Sequence, residues 1–227
     1  PGSDLIAKSI TRNSSVIKII TTALVKTADD YFVAESEWGN GSRSDLVLSP
    51  RSSSFQLAPI IIEFQCRVDK KFMKRLMMYS LQAYRRYEKD PIILIICSGT
   101  LSDDVANLLK SSDVLGCRRY LCEGWGAKCL IMAKESLSSL TASEKREPFA
   151  SFGLFLTQSM PFSELSSDDE TTKMLQSLAV DHYMSLIGNE AHLIDFIKGV
   201  LDKQEIFYNK ILALADDDDK PRLREAI

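Results

Sequence analysis

The chain has 227 residues, of which 45% are hydrophobic and 26% are charged, and its formal net charge is −3. This composition is typical of a folded globular protein and excludes a collagen-like or low-complexity chain. The longest apolar run, Pro91 to Cys97, is far shorter than the roughly 20 residues that a membrane-spanning helix needs, so we expect no membrane contact.

The first part of the chain is predicted to form helices followed by a three-stranded meander. Residues 4–28 carry apolar residues at helical spacing with a break or cap at 13–15, which indicates one or two helices. Residues 31–35 and 45–48 are predicted to be short strands on either side of a glycine-containing turn. Residues 58–64 contain three consecutive isoleucines, a pattern typical of a buried strand.

A basic amphipathic helix is predicted over residues 69–89. Asp69 is placed to cap its N-terminus, and Phe72, Leu76 and Tyr79 recur on one face, so we expect them in the core or at its boundary. Basic residues outnumber acidic ones eight to two between positions 67 and 89. Such a local excess indicates a polyanion-binding surface, and the alternative is a solvated helix face.

The remainder of the chain is predicted to alternate between strand and helix and to end in two acidic helices. The strands lie at 91–97 and within 119–132, a helix covers 101–111, and the acidic helices cover 166–187 and 189–215. Thr100 and Asp103 form a candidate capping box for the 101–111 helix. Residues 149–158 are apolar and fit either a helix or a strand.

This order of elements predicts an α/β fold with a central mixed β-sheet flanked by helices. We expect residues 4–160 to form this core and residues 164–227 to form an acidic helical extension that packs on it. The acidic helices are a candidate surface for a protein partner. Five cysteines without a CxxC pair, and no apolar leader segment, predict an intracellular protein, nuclear or cytoplasmic, with reduced thiols.

Several enzyme classes lack their characteristic residues here. The histidines, His182 and His192, lie outside any HExxH motif, which argues against histidine-based zinc chemistry and against a Ser-His-Asp triad. No GxGxxG motif follows a predicted strand and no P-loop motif is present, so neither kind of nucleotide site is supported.

Three polar residues lie on neighbouring strands of the predicted meander. Asp45 begins one strand, and Glu63 and Gln65 lie near the end of the next, on one face because they are two residues apart. If these strands pair as a hairpin, Asp45 lies beside Glu63, and two converging carboxylates are costly unless a cation joins them. Mg²⁺ takes carboxylate ligands together with waters and substrate phosphate. The carbonyl of Phe64 is a candidate third protein ligand.

This arrangement resembles the PD-(D/E)XK nuclease superfamily over residues 5–100. The sequence of residues 60–65 followed by a basic helix is most similar to its Rpn-like, transposase-associated branch. The resemblance implies a metal-dependent nuclease that hydrolyses phosphodiester bonds of DNA or RNA, with Asp45, Glu63 and Gln65 as catalytic residues. It also implies that Mg²⁺, or Mn²⁺ in its place, is held by Asp45 and Glu63, to which the position of the Phe64 carbonyl adds a candidate third ligand.

Gln65 takes the place of the lysine that most of the superfamily carries. A glutamine can hydrogen-bond a water molecule but has no charge, so a lysine from the following helix is a candidate replacement. The candidates are Lys70, Lys71 and Lys74, which together with Arg75 are also the candidate nucleic-acid contacts.

The family often has a further glutamate on its first helix, but residues 5–27 contain no acidic residue. Glu35 or Glu37, on or after the first predicted strand, is the nearest replacement, and Glu35 is the candidate third carboxylate. These departures leave a second hypothesis open, in which the chain is a catalytically inactive nuclease-like module that serves as a scaffold for nucleic acid or protein.

Simpler structural roles also remain open for the two carboxylates. Asp45 could close the turn that follows Gly41, because aspartate is common in turns. Glu63 in an isoleucine-rich strand needs a partner if it is buried, and an ion pair with Arg67 or Lys71 is the main competitor of a metal ion.

Overall fold

The computed structural model describes residues 2–27, 31–51, 57–138, 147–157 and 169–187. The chain divides into two compact units, residues 1–182 and 183–227, and the core and the site described below belong to the first. Most of the predicted acidic extension, including the helix expected at 189–215, lies outside the described residues. Its structure and its role as a partner surface stay predictions.

A mixed β-sheet of seven strands forms the centre of the described part of the chain. The strands are β1 (Tyr31–Ala34), β2 (Leu46–Pro50), β3 (Ile60–Val68), β4 (Ile92–Leu101), β5 (Lys110–Ser111), β6 (Arg118–Tyr120) and β7 (Lys128–Ala133). Their order across the sheet is β1-β2-β3-β4-β7-β6-β5. β4 is parallel to both β3 and β7, and the other neighbours are antiparallel. The prediction of an α/β fold with a mixed sheet is therefore confirmed.

Helices precede, connect and follow the strands. They are α1 (Gly2–Thr11), α2 (Ser14–Val25), α3 (Lys70–Tyr87), α4 (Asp103–Ala106), α5 (Lys134–Leu137), α6 (Pro148–Thr157) and α7 (Glu170–Ile187). The segment at 4–28 forms two helices because the Asn13 side chain caps α2 and accepts a hydrogen bond from the Ser15 N–H. Asp69 caps α3 as predicted, by accepting a 2.8 Å hydrogen bond from the Phe72 N–H. Within the described ranges, no helix has the length and apolarity needed to cross a membrane.

The sheet separates two apolar cores. Successive strand residues point to opposite faces, so Ile60 and Ile62 of β3 enter one core and Ile61 enters the other. The first core is closed by α1, α2, α6 and the buried residues of α7, and the second is closed mainly by α3. The apolar segment at 149–158, which fitted either type of element, is the helix α6. Because these cores lie on opposite sides of the sheet, α1 and α3 lie over opposite faces of β2 and β3.

Two local predictions between residues 100 and 111 are wrong. The helix expected over 101–111 is the single turn α4, after which the chain enters β5. Thr100 does not cap a helix because it lies in β4, which continues to pair with β3 beyond a shift of register that follows Gln65. The N-cap position of α4 is Ser102, whose side chain makes no capping hydrogen bond.

Candidate active site

Asp45 and Glu63 meet where the pairing of β2 with β3 begins. Leu46 of β2 is the partner of Ile62 in β3, which places the preceding residue, Asp45, opposite Glu63. The Asp45 N–H donates to Glu63 Oε1 at 3.2 Å, and the Phe64 N–H donates to Asp45 Oδ2 at 2.9 Å. The structure thus brings together the two carboxylates that the strand pattern pairs.

Both carboxylates line a cavity of about 690 Å³, called here the carboxylate cavity. Its other polar lining residues are Lys8 from α1, Arg43 from the loop before β2, Gln65 from β3, Arg75 and Tyr79 from α3, and Ser98 from β4. Three basic side chains therefore share the cavity with two carboxyl groups. Their positive charges favour the binding of an anion next to the carboxylates.

Lys8 is, with Arg43, a basic residue of the site that the sequence reasoning missed. Its Nζ lies 2.7 Å from Asp45 Oδ1, and both side chains are partly shielded from solvent. α1 reaches this point because its neighbouring residues Ala7 and Ile10 are buried. In the sequence, Lys8 is one of several lysines on predicted helices, and its spacing does not distinguish it. Lys8 on α1 thus contacts Asp45. The family that the sequence resembles often has a glutamate on its first helix instead.

Glu63 is almost fully buried, with 3% of its surface exposed. Burial, together with the nearby negative charge of Asp45, raises its pKa to about 8. Hydrogen bonds from the Asp45 N–H and the Ser44 side chain, and the positive charge of Arg75, act in the opposite direction without reversing the shift. The raised pKa favours the protonated form of Glu63 at neutral pH.

The simpler partners considered for Glu63 do not reach it. Arg67 and Lys71 are exposed, and neither lines the carboxylate cavity. The partners of Glu63 are instead the Asp45 backbone and Ser44. Ser44 is buried and accepts a 2.9 Å hydrogen bond from the indole N–H of Trp38. Trp38, which had no role at the level of the sequence, therefore supports the group that hydrogen-bonds Glu63.

Gln65 is oriented by α3. Arg75 Nη2 donates to Gln65 Oε1 at 3.4 Å, and Tyr79 lies one helical turn further along the same helix. Tyr79 belongs to the core as expected and also lines the cavity. Burial raises the pKa of its hydroxyl group, and the charge of Arg75 only partly opposes this, so Tyr79 is a neutral hydrogen-bonding group in the cavity.

The structure does not bring Lys70, Lys71 or Lys74 to the carboxylates, although the sequence reasoning offered them as replacements for the family's lysine. All three are exposed, and none lines the cavity. β3 continues for five residues beyond Glu63, so α3 begins beyond the site and then runs back alongside it. Arg75 is the first residue of α3 that lines the cavity. Their role as nucleic-acid contacts stays a prediction.

Glu35 and Glu37 likewise do not join the site as a third carboxylate, because both side chains are exposed and neither lines the cavity. The backbone carbonyl of Glu35 accepts a 2.7 Å hydrogen bond from Arg86 Nη1, near the end of α3. The guanidinium of Arg86 also stacks 4.5 Å from the ring centre of Trp38. Arg86 thus holds the loop between β1 and β2 from outside the cavity.

The donor atoms of the cavity fit Mg²⁺ in kind. Among the described residues, no group of three or more acidic, histidine or cysteine side chains is placed to hold a metal ion. One or two carboxylates, completed by waters and substrate phosphate, are nevertheless the usual protein contribution to a Mg²⁺ site, and Asp45 and Glu63 supply two. The ammonium of Lys8 already contacts Asp45, the carboxylate that a metal ion would also use. The role of the Phe64 carbonyl as a ligand stays a prediction.

Comparison of the chain with protein-family models, with curated proteins and with solved structures found no match. The functional interpretation therefore depends on the residues and geometry of the carboxylate cavity.

Proposed function

We propose that this chain is a metal-dependent nuclease with a PD-(D/E)XK-like core that hydrolyses phosphodiester bonds of nucleic acid. The observation that carries the proposal is the convergence of Asp45 and Glu63 from adjacent strands inside a cavity with three basic side chains. Carboxylates favour a divalent cation, and basic groups favour the phosphate that such a cation would act upon.

In this proposal Asp45 and Glu63 hold Mg²⁺ or Mn²⁺, which supplies charge stabilisation for hydrolysis at phosphorus when it is bound. Gln65, fixed by Arg75, hydrogen-bonds and orients the attacking water. Lys8 provides the positive charge that Gln65 lacks, from α1 instead of from α3. Contacts of the basic residues with the phosphate backbone make binding sensitive to salt and largely independent of sequence.

The test is cleavage of labelled single- and double-stranded DNA and RNA in Mg²⁺, in Mn²⁺ and in EDTA. Asp45→Asn keeps the shape of the side chain and removes its charge, and Glu35→Gln is a matched control because it removes a carboxylate outside the cavity. We expect metal-dependent cleavage that falls at least a hundredfold in Asp45→Asn and is unchanged in Glu35→Gln. Unchanged cleavage in Asp45→Asn, or no cleavage by the folded wild-type protein with either metal, would overturn the proposal.

A second candidate function is that of an inactive nuclease-like module that binds nucleic acid or protein. The ion pair between Lys8 and Asp45 favours it, because the ammonium already neutralises the carboxylate that a metal would need. This reading predicts no Mg²⁺ binding at millimolar concentration in a calorimetric titration of the full chain. A Mg²⁺ site present in the wild type and lost in Glu63→Gln would rule it out.

A further inference from the structure

The carboxylate cavity is bounded by residues from both faces of the sheet. β2 pairs with β3 only at residues 60–62, and the cavity lies beside the part of β3 that continues beyond this pairing. Because successive residues of β3 point to opposite faces, Gln65 lies on the side of α3 and Phe64 lies on the side of the first core. Both residues line the cavity, which therefore has walls on each side of the sheet.

The wall on the side of the first core is largely aliphatic and aromatic. Its described residues, called here the apolar half, are Ala7 of α1, Phe64 of β3, Ile96 of β4 and Leu156 of α6. Ile96 belongs to the first core, and Phe64 and Leu156 pack against it. A surface of this kind favours an uncharged, apolar group over a phosphate or a hydrated ion.

Groups that bind phosphate lie next to the apolar half. Arg75 reaches the cavity from α3, and Arg43 reaches it from the loop before β2. Guanidinium groups bind phosphate through paired N–H donors, so a phosphate is favoured near these two residues and beside Asp45. The volume of about 690 Å³ lies within the range of roughly 300–1,000 Å³ that is usual for small-molecule sites. The cavity thus has room for more than a phosphate group.

We propose that the apolar half receives a nucleobase while the phosphate of the same nucleotide lies at Arg43 and Arg75. A base in this position has left its stack, which costs free energy in a duplex and much less in a single strand. The site therefore takes single-stranded or unpaired nucleotides. The choice of a nucleotide as ligand rests on the proposed function, and the proposal deepens that function by naming the substrate class.

The test compares adenosine 5′-monophosphate, ribose 5-phosphate and inorganic phosphate by calorimetric titration of the full chain in EDTA. Ribose 5-phosphate has the phosphate and the sugar of the nucleotide and lacks only the base. Ala7→Leu fills the apolar half from α1, and Leu156→Ala removes part of its wall. Thr22→Leu is the matched control, because it adds the same side chain at an exposed position of α2 outside the cavity.

We expect the wild type to bind adenosine 5′-monophosphate at least fivefold more tightly than ribose 5-phosphate. Ala7→Leu and Leu156→Ala should lose most of this difference and keep the wild-type affinity for ribose 5-phosphate and for inorganic phosphate. Thr22→Leu should bind all three ligands as the wild type does. Leu156→Ala keeps the test valid if the added volume of Ala7→Leu disturbs folding.

Three results would overturn the base site. These are no binding of adenosine 5′-monophosphate by the folded wild type, equal wild-type affinities for adenosine 5′-monophosphate and ribose 5-phosphate, or an unchanged preference in both variants of the apolar half. Its failure is distinguishable from failure of the nuclease proposal. A preference for the base without cleavage in any metal would support the base site and overturn the nuclease activity, and metal-dependent cleavage without that preference would do the reverse.

Discussion

Replacing Glu63 by glutamine is predicted to stabilise the protein at alkaline pH. Glutamine has nearly the shape of the protonated glutamic acid, and its carbonyl oxygen can still accept the hydrogen bond from the Asp45 N–H. It differs from the wild type in having no proton to lose. Any pH-dependent difference in unfolding free energy between the two proteins therefore reports the ionisation of Glu63.

The sign and size of the effect follow from the shift of the Glu63 pKa. The folded-state pKa of about 8 lies above the ordinary value of 4.5, so between these pH values the folded protein keeps a proton that the unfolded chain has lost. The stabilisation by this proton is complete below about pH 4.5 and is lost as the pH rises through 8. Each pH unit in that window changes the unfolding free energy by about 1.4 kcal/mol, or about 5 kcal/mol in all.

The assay is urea unfolding of wild type and Glu63→Gln at intervals from pH 4.5 to 9, in EDTA. Groups that titrate in both proteins cancel in the difference between their unfolding free energies. We expect the advantage of the variant over the wild type to grow by several kcal/mol up to about pH 8 and then to level off. A difference that does not change with pH would show that Glu63 is ionised in the folded protein and would refute the reasoning.

Three further predictions concern the affinity of the site for Mg²⁺, the close packing of β3 against β4, and the stabilisation of the fold by Mg²⁺. Lys8→Gln removes the ammonium that lies 2.7 Å from Asp45, so the Mg²⁺ affinity measured by calorimetry should rise several-fold. An unchanged affinity would argue against competition between the lysine and the metal ion. In Gly99→Ala the new Cβ would overlap the backbone oxygen of Cys66 in β3, so the unfolding free energy should fall by about 1–3 kcal/mol. Gly39→Ala, whose Cβ meets nothing within 4 Å, should change it little. Mg²⁺ at a hundred times its dissociation constant should raise the unfolding free energy of the wild type by about 2.7 kcal/mol in urea unfolding at pH 8. No increase at millimolar Mg²⁺ would favour the inactive module.

The sequence predicted those parts of the site that depend on local periodicity. Alternation along β3 put Glu63 and Gln65 on one face, and the antiparallel register of β2 placed Asp45 opposite Glu63. The cap at Asp69 follows from the same kind of local rule, in which a short polar side chain satisfies the first free N–H groups of a helix.

The remaining parts of the site depend on how distant segments pack. Lys8 and Arg12 reach Asp45 because α1 and α2 bury their apolar sides against the sheet, and nothing in the spacing of these residues specifies that position. The length of β3 likewise determines that Arg75, and not the earlier lysines of α3, is level with the carboxylates. Thr100 was misjudged for a related reason, because pairing with β3 outweighs the local preference for a helix start.

The hydrogen bond from Trp38 to Ser44 gives the protein an optical probe of its own site. The chain has two tryptophans, and the indole of Trp38 reaches Glu63 through a single hydroxyl group. A change in the charge of Glu63, whether by proton loss or by capture of a cation, alters the field at that indole. In a Trp125→Phe background the fluorescence of Trp38 would then follow the state of the buried carboxyl group directly, without a label and without a substrate.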